Sequence, residues 1–403
     1  MSDIYLYGVS GNQLQSGCRQ VLQACHAVVV SKRFDPLLTG ISAHRIAVTP
    51  VKDMLSLVAE NLRHGDVGIL ASGDPLFFGI GRRLIDRFGP DRIHVFPALS
   101  AMQLACARCR VPWDDLVFMS LHGRNDHGLT GRIMAHEKVM LFTDGRHSPD
   151  RIAGMILRDL EQVGAGDHLQ NIRVWVGQCL GEPDEKISSG TLAEIAAMRF
   201  APLNMMLIEQ KRPDDAVPCF GLMEDEIIHS RGLITKDEVR AVILHCLRLP
   251  RQGVFWDVGG GSGSIALEAA GLAPGLDVYT IEKKSEGQAN IRANICRLHR
   301  FNVRLVAGEA PAACEPLPEP ERIFVGGSGG RLAAIITYGA ARLRRGGIMV
   351  ASAVLATTAE QAPQYMARAG LQVDTRLVAV TRFGSAGGAV RSFNPITIIT
   401  GRK

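Results

Sequence analysis

Aromatic side chains are scarce in this sequence: Phe, Tyr and Trp make up 5% of 403 residues. A surface that reads unpaired nucleic-acid bases by stacking needs more of them. Blocks of Lys and Arg are also missing. The formal net charge is +5, from 45 Lys and Arg against 40 Asp and Glu. That balance excludes a basic nucleic-acid arm and suits an anionic small molecule. No stretch approaches the roughly 18 consecutive apolar residues of a membrane span. The opening MSDIYLYGVSGN lacks a basic segment followed by an apolar run, so no secretory leader is expected. Nine cysteines, odd in number and irregular in spacing, give no disulfide framework and point to a reducing cytoplasm. Cys106 and Cys109 form a lone pair in a helical pattern, with no second pair at zinc spacing, so no metal is expected.

What the chain has in quantity is glycine, 43 residues, and short β-branched runs that alternate with amphipathic stretches. The alternation predicts an α/β protein with parallel sheets covered by helices. Segment 211–226, rich in Pro and charge and without a sustained period, reads as a linker between a unit at 1–210 and a unit at 227–403.

In the second unit an apolar strand, 253–258, runs into Gly259-Gly260-Gly261-Ser262-Gly263 and then a helix. Glycines there allow a sharp turn and let a ligand approach with no Cβ in the way. The helix N-terminus adds unpaired N–H groups. Glu282 ends the next strand, where a carboxylate can accept hydrogen bonds from two ribose hydroxyls. A dinucleotide fingerprint would need a third glycine at 264 or 266, which are Ser264 and Ala266. With Asp257 in front, the order is D-x-G-x-G-x-G. It resembles the S-adenosylmethionine loop of Rossmann-like methyltransferases. The resemblance places Glu309 and Ala310, after the third strand, at the adenine end of that cofactor. Thr235 opens Thr-Lys-Asp-Glu, which reads as a capping box with Glu238, as a cofactor contact, or as both.

A second glycine turn, Gly326-Gly327-Ser328-Gly329-Gly330, follows strand ERIFV. Successive N–H groups in such a turn form a concave anion site at the carboxyl end of a parallel strand. The loop has no Pro or aromatic to grip a base, so a carboxylate-bearing substrate fits better. Arg231, Lys236, Arg240 and Arg331 here, and Arg124 in the first unit, are candidate carboxylate partners. His122 is a candidate for proton transfer, with a loop position lining the cleft as its plain alternative.

In the first unit Ser72-Gly73-Asp74-Pro75, Phe96-Pro97-Ala98-Leu99-Ser100-Ala101, Leu121-His122-Gly123-Arg124 and Pro202-Leu203-Asn204 each adjoin a strand. Together they look like the tetrapyrrole methylase fold, a second and unrelated S-adenosylmethionine architecture. That resemblance implies cofactor contacts at Asp74, Phe77, Ser100, Ala101, Leu203 and Asn204. The loop after strand one departs from the family's usual G-x-G-P-G, being Gly8-Val9-Ser10-Gly11-Asn12, and Ala98 stands where Gly is usual.

Taken whole, with ITKDEVR, WDVGGGSGSIALEAA, FVGGSGG and SFNPITII, the sequence resembles the precorrin-6Y C5,15-methyltransferase (decarboxylating) family of cobalamin biosynthesis. The resemblance implies methylation of C5 by the first unit. For the second it implies methylation of C15 and removal of carbon dioxide from the acetate on C12. It also implies a polycarboxylate tetrapyrrole substrate, with or without cobalt, and self-association into a homo-oligomer. The alternatives are an RNA methyltransferase with an N-terminal recognition module and a non-catalytic S-adenosylmethionine-binding protein.

Overall fold

The β-branched runs of the chain build three main sheets. The computed structural model describes residues 2–11, 13–121, 128–211, 217–232, 234–384 and 390–403. The architecture is α/β, as the alternating pattern predicts.

The first sheet holds β1 (Ile4–Val9), β2 (Ala27–Val30), β3 (His44–Ala47), β4 (Val67–Ser72) and β5 (Ile93–Phe96), in the order β3-β2-β4-β1-β5. All of its pairings are parallel. Parallel strands need both faces covered. The helix Val51–Asn61 supplies Met54 and Val58 to one face, against Ile4 and Ile69. The helix Cys18–Ala24 supplies Cys18 and Leu22 to the other.

The second sheet is mixed, with β6 (Val117–Ser120), β7 (Lys138–Phe142), β8 (Ile172–Gln178), β9 (Lys186–Gly190) and β10 (Asn204–Gln210) in the order β6-β7-β10-β8-β9. Helix Ala101–Cys109 packs on one face and helix Pro149–Gln162 on the other. The latter helix is absent from the expectations above. Its signal is nonetheless present: Pro149 sits at the first helical position, and Ile152, Ile156 and Leu160 recur on one buried face.

The third sheet holds β11 (Gln252–Val258), β12 (Gly275–Glu282), β13 (Val303–Ala307), β14 (Arg322–Val325), β15 (Ile348–Ala353) and β16 (Gln372–Val378). A two-stranded hairpin, β17 (Thr381–Phe383) and β18 (Val390–Ser392), precedes the last strand, β19 (Ile396–Arg402). The sheet order is β13-β12-β11-β14-β15-β19-β16, parallel from β13 to β15 and antiparallel at β19. The order reverses between β11 and β14, and in such sheets ligands sit outside the carboxyl ends of the strands at that switch point. The turns leaving those two strands are Gly259–Gly263 and Gly326–Gly330.

One apolar cluster runs from the second sheet into the third, joining Leu129, Ile133 and Ile156 to Ile265, Leu276 and Val303. The backbones meet closely there. A Cβ on Gly131 would lie 2.4 Å from Asn302 Cα, and one on Gly128 would strike the Asp277 carboxylate. Part of the segment read as a linker is also held. The N–H groups of Gly221 and Leu222 donate to Glu268 Oε1 at 2.5 and 2.8 Å.

Candidate active site

Strand β11 is apolar on both sides because both faces are covered, and Val254, Trp256 and Val258 face away from Phe255. Its exit must therefore be made by backbone. Gly259 and Gly260 donate to the Ile281 carbonyl at 2.9 and 3.1 Å, and the chain turns through left-handed conformations at Gly259, Gly261 and Gly263 (φ 76°, 60° and 79°). The glycines of the turn answer different constraints. A Cβ on Gly259 would lie 2.4 Å from the Gly327 carbonyl oxygen, so the two glycine turns are pressed together. A Cβ on Gly260 would lie 2.1 Å from Thr280 Oγ1. A Cβ on Gly261 would meet nothing within 4 Å. The space in front of Gly261 is a cavity.

Two cavities meet at this turn. One, of about 280 Å³, is lined by Arg231, Gly261, Glu282, Lys283, Glu309 and Ala310 among others. The second, of about 510 Å³, is lined by Thr235, Asp257, Phe324, Gly326, Val354 and Phe393 among others. Gly259, Gly261, Ser262 and Gly327 line both. A small group can thus be presented from one cavity to the other across the glycine turn.

Glu282 is buried and turned toward the bend. Its Oε2 accepts from Gly261 N–H at 2.9 Å, and its Oε1 accepts from Lys284 N–H at 2.8 Å. Each oxygen keeps a second acceptor position. Asp257 is also buried, one strand away, and accepts from Thr280 Oγ1 at 3.3 Å. Burial pushes its carboxyl up to about 7. The hydrogen bonds from Thr280 and the Ala266 N–H pull it back, and the Glu282 charge adds to the rise.

At the mouth of the smaller cavity Glu309 bridges two cations, Lys283 at 3.0 Å and Arg331 at 3.1 Å. The hydrogen bond from Lys283, and then the Arg331 charge, hold the Glu309 carboxyl below the usual range. Ser328 and Gly329 line this cavity too, and the Gly330 turn (φ 84°) leads into Arg331.

Two expectations fail here. Thr235 does not cap the helix. Lys236 occupies the N-cap position of Asp237–Leu247, with no side-chain cap, and Thr235 instead offers its carbonyl to Arg240 at 2.9 Å. Glu238 is drawn off by Arg382, which donates two bonds of 2.7 Å to it. Arg240 is not free for a substrate. Its side chain is 1% exposed, and its guanidinium donates to Glu268, to the Leu222 carbonyl and, at 2.9 Å, to Asp237. Lys236 is paired with Glu224. Arg231 lines the smaller cavity and is exposed. His122, Arg124 and Asn12 lie outside the described residues.

Of the residues singled out in the first unit, those after β4 and β5 meet at the carboxyl end of β1, and Asn204 lies at the end of β7. Gly73 approaches Ser100, where an added Cβ would lie 3.0 Å from Ser100 Cα. Phe77 lies 5.3 Å from Phe118 of β6 and 5.7 Å from Phe142 of β7, ring centre to centre. Thr143, next in the chain, donates to Asn204 Oδ1 at 2.5 Å. Several of these side chains are already committed. Asp74 accepts from Leu76 N–H at 2.8 Å. Ser100 forms a capping box with Gln103 ahead of Ala101, and Asn204 Nδ2 donates to the Ala201 carbonyl at 2.5 Å. The Leu203 side chain is exposed.

Similarity to known proteins covers both units. The family described as Tetrapyrrole (Corrin/Porphyrin) Methylases matches residues 17–196, and the Precorrin methyltransferase domain matches residues 226–401. A Sinorhizobium protein named precorrin-6Y C(5,15)-methyltransferase (decarboxylating) is 32% identical over 358 residues, covering 87% of this chain and 82% of that relative. The chain belongs to the precorrin-6Y C5,15-methyltransferase (decarboxylating) family. Two further relatives of this precorrin methyltransferase match it in part. A Sulfolobus acidocaldarius protein named probable cobalt-precorrin-6B C(15)-methyltransferase (decarboxylating) is 34% identical, over 45% of this chain and 97% of its own length. A Salmonella typhimurium protein named cobalt-precorrin-7 C(5)-methyltransferase is 37% identical, over 33% of this chain and 61% of its own.

Sequence reasoning missed Lys283 in this family member. Its position directly after Glu282, at a strand end beside the cavity, is the signal that could have found it. Among the described residues no cluster of three or more His, Cys, Asp or Glu is placed to hold a metal ion. Among them no helix is long and apolar enough to cross a membrane.

Proposed function

We propose that this chain is a bifunctional C-methyltransferase of cobalamin biosynthesis with one S-adenosylmethionine site in each unit. Residues 227–403 methylate C15 of precorrin-6B or its cobalt form and remove carbon dioxide from the acetate on C12, the electron pair of the broken bond passing into the conjugated ring and a methyl group staying on C12. Residues 1–210 methylate C5, segment 211–226 joins the two, and a precorrin-8-type product leaves. The enzyme acts in the cytoplasm as a homo-oligomer.

The observation that carries this reading is the open space in front of Gly261, closed at its back by Glu282 and continuous with a second, more apolar cavity. The donor set fits the cofactor. Glu282 has acceptor positions left for ribose hydroxyls, and its carboxylate gives the turn a negative potential that suits a cation. When bound, S-adenosylmethionine supplies an electrophilic methyl group. The residues that would hold it are Gly259, Gly260, Gly261, Ser262 and Gly263 at the turn, Glu282 at the sugar, and Glu309 with Ala310 beyond. Thr235 lines the neighbouring cavity.

Methyl transfer to carbon is an in-line displacement, for which holding donor and acceptor aligned can supply roughly 7–11 kcal/mol. The turn provides that alignment and needs no nucleophilic side chain. Of the second glycine turn, Gly326 to Gly329 line the two cavities and Gly327 lines both; the Gly326 N–H donates to the Val258 carbonyl at 2.9 Å, so the N–H groups of 327–329 are the ones suited to a substrate carboxylate. Ile234, Ile265, Phe324 and Val380 keep the larger cavity apolar, and a carboxylate stripped of water there loses carbon dioxide more readily.

The test is an incubation of the full chain with precorrin-6B, or its cobalt form, and labelled methyl donor, read by mass. Two labelled methyl groups gained and one carbon dioxide lost are expected. A product without label at C15 would refute the assignment.

A further inference from the structure

We propose that Arg391 and Phe393 form the rim that grips the tetrapyrrole in residues 227–403, Arg391 binding a peripheral carboxylate and Phe393 presenting its ring to the macrocycle. The inference deepens the reading above and rests on it.

Phe393 lines the larger cavity, whose wall also holds the glycine turns, Asn394, Val354 and Val380. Three cations surround its ring: Arg391 at 4.9 Å from the centroid, Arg382 at 5.1 Å and Lys236 at 5.5 Å. An apolar floor with a cationic edge matches a flat macrocycle that carries carboxylates on its periphery.

The three cations are not equivalent. Arg382 is bound by Glu238 and by Glu224 at 2.9 Å, with Asp237 at 3.6 Å, and this fixes β17 to the first turn of helix Asp237–Leu247. Lys236 is paired with Glu224. Arg391 is exposed, and among the described residues no carboxylate lies within ion-pair distance of it.

Its position makes that lack informative. In the β17–β18 hairpin Arg391 is directly opposite Arg382. Like charges facing each other across an antiparallel pair are destabilising. The local acids neutralise Arg382 and leave Arg391 without an anion. Its contact with the Phe393 ring leaves the charge without a counter-ion, and local rules are broken most often at functional positions. The anion missing here is one that a polycarboxylate would bring. Arg382 is then a positioning residue, since it anchors the hairpin while Arg391 meets the substrate.

The test is steady-state kinetics of the full chain on precorrin-6B at saturating S-adenosylmethionine, following the C15-methylated, decarboxylated product. Arg391→Gln is expected to raise KM about tenfold, the size of one charge-assisted hydrogen bond lost, with kcat changed far less. Arg391→Lys should recover most of the loss, and Phe393→Leu should raise KM severalfold. Calorimetric affinity for S-adenosylmethionine should be the same in all three, which also shows that they are folded. A KM within about twofold of the parent in Arg391→Gln overturns the inference. So does a change in solution size with KM unmoved, which would assign the hairpin to self-association. If the parent does not turn precorrin-6B over at C15, the proposed function itself fails and this inference falls with it.

Discussion

Gly8, near the carboxyl end of β1, and Gly261, just after β11, stand at corresponding places in two sheets, yet they do opposite things. A Cβ on Gly8 would lie 2.0 Å from the Gly73 carbonyl oxygen and 2.5 Å from Ala98 N, so this glycine lets three loops of the protein pack together. Its neighbour Gly11 is also filled against protein, with the Gly181 carbonyl oxygen 2.9 Å from an added Cβ. Gly261 faces open space bounded by Glu282. A glycine-rich turn after a strand therefore carries two meanings, close packing or ligand approach. Only the surroundings tell them apart. The unusual first loop, which departs from the family pattern, belongs to the packing kind.

The contrast between side chains committed to the fold and positions left for a ligand predicts a ranked set of outcomes. The largest effect is expected at Arg240. Arg240→Ala leaves the Glu268 carboxylate buried and unpaired, at a cost of about 3–5 kcal/mol in chemical denaturation. Arg331→Ala, on an exposed pair, should cost less than about 1 kcal/mol. Equal losses would erase the distinction. Next is Gly8→Val, which should cost about 3 kcal/mol through overpacking, visible as a lowered Tm. Gly261→Val should cost only about 1–2 kcal/mol, from the left-handed φ, while abolishing C15 product and sparing C5 methylation. A variant at Gly261 that keeps its C15 product would break the comparison.

A further effect shows only as a slope with pH. The Asp257 carboxyl sits near 7 when folded against 3.8 as its ordinary value, so the folded chain holds a proton that the unfolded chain releases. Stability from this group is full below about pH 4 and falls as pH rises toward 7. Asp257→Asn should flatten that slope, by an amount on the order of 1–4 kcal/mol across the window. An unchanged slope in urea titrations at several pH values would show that the carboxyl is not held protonated.

Much of the fold was legible because both faces of most parallel strands are buried, which leaves runs such as VFWDV between helical patterns. Strand β9, Lys186–Gly190, was not, because KISSG has no apolar alternation and gains its place only by pairing with β8. The hairpin β17–β18 was hidden for the same reason, its residues being mostly exposed on both strands. The glycine turn and Glu282 were legible because strand, turn, helix and acid follow in sequence order. Arg240 was misread because its partner Glu268 lies 28 residues away on another helix, and no local spacing reports a buried pair. The Thr235 cap failed because Arg240 takes the Thr235 carbonyl and Arg382 takes Glu238.

The central claim is that an opening made by backbone at Gly261 seats S-adenosylmethionine independently of the first unit. Calorimetric titration of S-adenosylmethionine into the full chain and into Gly261→Val tests it most directly. Two sites per chain are expected in the parent and one in the variant. Two sites in the variant, or none in the parent, would contradict it.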